Sequence, residues 1–158
     1  GSYAFIWGSK QEATATWFGM LLPDDRRLAA AEAMGELWSG KAPANRCPTI
    51  AALTLDGPDT VSPGATVHAR IITKDPETDP LEVRWLLRAE VTHPAVGGDR
   101  EEPPAEFPGA IVSSSHAGAT VRLPREGGGY RIFAYVGDGQ GGAAVANVPL
   151  FIDGPKPR

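Results

Sequence analysis

Cysteine is almost missing from this sequence, long apolar runs are missing altogether, and no segment gathers positive charge. Each absence removes a class of protein. Cys47 is the single cysteine, so no intrachain disulfide can form and the chain must be held by packing. One thiol does not distinguish one cellular compartment from another. No apolar stretch approaches the roughly 20 residues of a membrane-spanning helix, so no transmembrane segment is expected. No signal-peptide pattern opens the sequence, and Gly1-Ser2 looks like a cloning remnant. Fifteen Lys and Arg against 19 Asp and Glu give a net charge of −4 with no basic run, so a nucleic-acid partner lacks its electrostatic footprint.

What the chain has in quantity is punctuation. Its 19 glycines and 15 prolines fall between short apolar runs, the pattern of many strands joined by turns. At 158 residues it is about one domain, large enough for a single core and an appendage.

Residues 1–44 differ from the remainder. Tyr3 to Trp7, YAFIW, is fully apolar and ends at Gly8-Ser9, as expected of a strand buried on both faces. Thr16 to Leu22 is a second apolar run, stopped by Pro23-Asp24-Asp25. Arg26 to Ser39 has helical periodicity, with Leu28, Ala31, Met34, Leu37 and Trp38 on one stripe and Gly40 as the stop. Lys41 to Pro48, with Pro43 and Pro48, reads as an extended connector, which places a boundary at 44/45.

From 45 to 158 the sequence predicts a mainly β fold, a seven-stranded immunoglobulin-like β-sandwich. The strands are expected at Thr49–Leu55, Thr66–Lys74, Leu81–Glu90, Ala110–Ser115, Thr120–Leu123, Tyr130–Gly137 and Ala143–Ile152. Val91 to Pro108 reads as an exposed loop. Alternation points Val67, Ala69, Ile71, Leu81, Val83, Trp85, Leu87, Tyr130, Ile132, Ala134 and Val136 inward. Leu86, Phe133, Tyr135 and Phe151 then fall on the opposite face, which calls for a cover or a ligand. Residues 3–40 are the natural cover. The rival reading makes them a piece of a larger domain.

DPETDPLEVRW, from Asp75 to Trp85, and YRIFAYVGDGQGGAA, from Tyr130 to Ala144, resemble bacterial immunoglobulin-like modules of the PKD and cadherin-like type. Asn45-Arg46-Cys47-Pro48 is similar to the N-x-x-P start of such modules, so the likeness spans Asn45 to Asp153. The front segment, from YAFIWGSKQEATATWFGMLL to the helix and its GKAP tail, resembles the last strand, loop and helix of a (β/α)8-barrel glycoside hydrolase. Such a sandwich follows the barrel in those enzymes. The resemblance implies an accessory region of an enzyme acting on polysaccharide, with an upstream barrel as partner, a periplasmic or extracellular setting, and the catalytic carboxylates upstream. The alternative is a stand-alone immunoglobulin-like interaction or adhesion module.

No residue here is expected to be catalytic, since glycosidases need two carboxyl groups across the scissile bond and Glu12 stands alone near Trp7. By that resemblance Trp7 lines a sugar subsite. Trp7, Lys10, Gln11 and Trp17 are the substrate-binding candidates, against a competing role in core packing. Phe133, Tyr135 and Phe151 form either a glycan platform or covered core. Asp75, Asp79 and Asp138 flank turns, where carboxylates can hold Ca²⁺ or cap the turn themselves; no EF-hand spacing supports the metal, and no other cofactor is expected. His68, His93 and His116 lack ligand spacing, and Ser113-Ser114-Ser115-His116 lacks a nucleophile-elbow frame. GDGQGG, from Gly137 to Gly142, opens no helix and reads as a hairpin turn.

Overall fold

A computed structural model describes residues 6–15, 19–94 and 101–155. Among them lie one helix, α1 (Ala29–Ser39), and eight strands: β1 (Thr49–Leu55), β2 (Thr60–Val61), β3 (Thr66–Lys74), β4 (Glu82–Ala89), β5 (Ile111–Ser114), β6 (Gly118–Arg122), β7 (Gly128–Gly137) and β8 (Ala143–Ile152). The strands form two four-stranded sheets, ordered β1-β3-β6-β5 and β2-β8-β7-β4. That order matches the immunoglobulin arrangement of two antiparallel sheets, with the first strand divided between them. The extra strand, β2, is the second half of that division and pairs parallel with β8.

Alternation produces the core between the sheets. Val67, Ala69 and Ile71 of β3 meet Trp85 and Leu87 of β4 and Tyr130, Ile132, Ala134 and Val136 of β7, all buried, with Leu81 and Val83 partly buried beside them. Two polar tips inside this core are satisfied: Trp85 Nε1 donates to the Ser115 carbonyl at 3.1 Å, and the Tyr130 hydroxyl to the Glu126 carbonyl at 3.0 Å. The second contact is the corner by which a tyrosine ties a strand's start to the preceding turn.

The outer face of the second sheet carries a second core. Leu86, Phe133, Tyr135 and Ala143 pack with Leu22 and Leu28 from before the connector. Backbone pairing holds these leucines there. The Leu22 amide donates to the Arg26 carbonyl at 2.9 Å and the Leu28 amide to the Met20 carbonyl at 3.0 Å, so residues 20–28 double back on themselves. Arg27 then donates to the Gly141 carbonyl at 2.9 Å and accepts from the Ala143 amide at 2.8 Å, joining the start of β8.

Three local expectations are corrected here. Residues 26–28 are extended, because Arg27 serves the sheet, and α1 starts at Ala29. The helical stripe is only half used: Leu28 and Ala31 are buried, whereas Leu37 and Trp38 are 75% and 60% exposed. The leading end of α1 has a partner to pack on and its last turn does not. Of the expected strand Tyr3–Trp7, residues 3–5 lie outside the described residues, and Ile6 and Trp7 are not in a strand, Trp7 being exposed. Gly40 ends α1 in the left-handed conformation, φ 67°, with its amide on the Glu36 carbonyl. Among the described residues no helix is long and apolar enough to cross a membrane.

Candidate functional site

Phe133 and Tyr135 are 4% and 9% exposed, lie under Leu22 and Leu28, and stack on each other with centroids 6.1 Å apart. Phe151 is 46% exposed, paired in register with Gly129 at the other end of β7. The three therefore present no common aromatic platform to a glycan. Leu86, Phe133 and Tyr135 fall on the outer face as alternation predicts and are covered by Leu22 and Leu28, whereas Phe151 is not.

Trp7, Lys10 and Gln11 are divided between two concavities, and Trp17 lies outside the described residues. Trp7 stacks on Trp38, with centroids 6.1 Å apart and an interplanar angle of 24°. Both rings are more than half exposed. Trp7 lines a groove of about 630 Å³ bounded by α1, the connector and Gln140, with Glu36 and Lys41 among its polar groups. Glu32, which lines the same groove, is held in place. Glu32 Oε2 accepts the Cys47 amide at 2.5 Å, and Arg46 reaches Glu32 at 3.0 Å and Glu36 at 3.1 Å. In the sequence Trp38 shows only as part of the apolar stripe. Its position in the last turn, beside Gly40, is the signal that it can run past its packing partner.

Lys10 and Gln11 line a second cavity of about 320 Å³, between the N-terminal segment and the outward side chains of β4 and β7. Arg84, Leu86 and Arg88 of β4 and Tyr135 of β7 form one wall, Leu22 and Arg26 another. Lys10 is paired with Glu12 at 3.0 Å and Arg26 with Asp24 at 2.8 Å, which holds the Asp24 carboxyl below its usual range. Glu106 serves two guanidiniums, Arg88 at 3.1 Å and Arg84 at 3.7 Å. Gln11 donates to Glu101 at 3.2 Å, while its Oε1 is buried without a partner, as is Arg88 Nε. Burial pushes the Tyr135 hydroxyl up from its ordinary pKa, against the opposing pull of Arg88 and Arg84.

The turn aspartates organise backbone. Asp75 Oδ1 accepts the amides of Glu77 at 3.0 Å and Asp79 at 2.9 Å; Asp138 Oδ1 accepts those of Gln140 at 2.7 Å and Gly142 at 2.9 Å. Asp79 Oδ2 accepts from Asn45 at 2.6 Å. Asp75 and Asp138 are buried, and the Oδ2 of each has no hydrogen-bond partner. Among the described residues no group of three or more His, Cys, Asp or Glu side chains is placed to hold a metal ion. The Cys47 thiol is buried, which raises its pKa, and donates to the Arg27 carbonyl at 3.4 Å. The two concavities offer groups suited to binding: indole faces, guanidiniums, a phenol and a carboxamide.

No protein-family model matches the sequence, and no curated protein matches it significantly.

Proposed function

We propose that this chain is a non-catalytic accessory region of a glycoside hydrolase acting on polysaccharide, with a structural or glycan-positioning role. The observation that carries the reading is the exposed Trp7–Trp38 pair, whose Trp38 stands on a helix fastened to the sandwich through Glu32 and Cys47. Indole faces stack on the C–H faces of sugar rings, and flanking polar tips such as Glu36, Lys41 and Gln140 suit hydroxyl groups. The rigid attachment of residues 19–47 supports a structural role, because a sandwich fused through a second core can hold a neighbouring domain at a fixed angle.

Affinity electrophoresis in gels containing neutral polysaccharide tests the binding half. The chain should be retarded, and the Trp7→Ala/Trp38→Ala variant should run freely while keeping its urea midpoint. Equal mobility with and without polysaccharide for the unmodified chain sinks the glycan role.

A stand-alone interaction module is the second reading, favoured by the way Leu22 and Leu28 complete the sandwich's own outer face. The mass of the native polypeptide separates the two. A species several-fold above 16.6 kDa fits the accessory region, and one near that mass fits the stand-alone module.

A further inference from the structure

We propose that the cavity between the N-terminal segment and the outer face of β4 and β7 binds the carboxylate of an acidic sugar residue, a uronate, through Arg84, Arg88 and Tyr135. The glycan setting rests on the function proposed above, but the residues are different ones and can be tested apart.

Charge is the first argument. Lys10 and Arg26 each have a carboxylate of their own, Glu12 and Asp24, whereas Arg84 and Arg88 share Glu106. Two guanidiniums against one carboxylate leave the β4 wall itself positive, while the further carboxylate beside the cavity, Glu101, accepts from Gln11 and the Ala13 amide on the N-terminal segment. Arg84 is held loosely, at 3.7 Å, with its side chain 68% exposed, so it can turn toward an incoming anion. Guanidinium forks match carboxylate geometry in two parallel hydrogen bonds.

Unspent hydrogen-bonding capacity is the second. Arg88 Nε is buried with no acceptor. Tyr135 lines the same cavity, its ring buried at 9% exposure, and Arg84, Arg88 and Glu106 lie close enough to act on its hydroxyl. Buried polar groups ordinarily have partners, so the Arg88 Nε donor calls for an acceptor, and the phenol beside it adds a second hydrogen-bonding group.

The third argument narrows the ligand. Gln11 Oε1 is an unused buried acceptor, which an anion cannot satisfy and a hydroxyl can. Leu22 and Leu86 add apolar wall. A compact body bearing a carboxylate, hydroxyls and a C–H face meets all of these demands, while inorganic phosphate meets only the first. The volume, about 320 Å³, is near the small end of ligand cavities and suits one sugar ring.

Calorimetric titration of the chain with glucuronate, galacturonate, methyl glucoside, methyl galactoside and inorganic phosphate is the test. A uronate should bind at least about tenfold more tightly than its neutral counterpart and than phosphate, as a charge-assisted contact requires. Arg84→Gln, on an exposed side chain, and Tyr135→Phe, which keeps the buried ring, should each weaken uronate binding by about tenfold with the melting temperature held. Equal binding of neutral sugar, phosphate binding as tight as uronate, or indifference to both variants overturns the inference. Polysaccharide retention through the tryptophan pair without uronate binding removes this inference alone. Uronate binding without retention removes the tryptophan-based reading alone.

Discussion

The amide of Cys47 donates to Glu32 Oε2 at 2.5 Å, and this contact ties α1 to the residues that lead into β1. Glu32 is suited to the task because its side chain is only 10% exposed and its other oxygen takes Arg46. Glu32→Ala leaves the Cys47 amide without its acceptor and should cost about 1–3 kcal/mol. Glu32→Gln keeps an acceptor and should cost less. Urea midpoints of the two variants check the order. Equal midpoints for Ala and the parent chain would mean that water or a rearranged loop replaces the contact.

Leu22 is 2% exposed in the second core, with Phe133, Tyr135 and Leu86 around it. Leu22→Ala removes most of a buried side chain where the neighbouring strands cannot collapse, and should destabilise by about 2–5 kcal/mol. The unfolding slope should be unchanged and the transition single, because the segment and the sandwich share a core. A loss below about 0.5 kcal/mol, the level of a surface change, would show that the cover contributes nothing to the fold.

The strands were legible because alternation is a local signal: Val83, Trp85 and Leu87 face one way and Arg84, Leu86 and Arg88 the other wherever the strand lies. β2 was not, since Thr60–Val61 is too short to alternate and its partner, Phe151–Ile152, is remote in sequence. Helical period marked the stripe from Leu28 to Trp38 but could not say how far along it a partner extends. The cavities were the least legible. Nothing in the sequence singles out Arg84 and Arg88, and only the fold brings Lys10, Gln11 and Tyr135 to them. Trp7 stands out as an aromatic at the end of an apolar run, yet its stacking partner shows in the sequence only as one member of the helical stripe.

Burial raises the pKa of both Tyr130 and Tyr135 above the ordinary value of 10.0. In the unfolded chain these phenols lose their protons first, so between the unfolded and folded values the native state holds more protons. Their stability contribution is complete below about pH 10 and falls as pH rises through the folded values. Alkaline unfolding should therefore set in above pH 10. Tyr135→Phe should flatten the decline in stability, followed by urea midpoints from pH 8 to 11. An unchanged slope in that variant would mean that Tyr135 titrates alike in both states.

Asp138 decides between two uses of a buried turn carboxylate. Its Oδ1 accepts the Gln140 and Gly142 amides, and a Cβ placed on Gly142 would run into its Oδ2 and approach Cys47 Cα to 3.1 Å, so the turn is built closely around it. If holding those amides is its role, Asp138→Ala should cost about 1–3 kcal/mol and Asp138→Asn, which retains an acceptor oxygen, distinctly less. Removing divalent cations should then leave the melting temperature of the parent chain where it is. Ca²⁺ at 1,000 times its dissociation constant would instead stabilise by about 4 kcal/mol. A rise in melting temperature from EDTA to millimolar Ca²⁺, abolished by Asp138→Asn, would assign the unpartnered Asp138 Oδ2 to a cation. Melting curves that superimpose leave Asp138 as the residue that shapes the β7–β8 turn and, through Gly141 and Ala143, the seat that Arg27 occupies.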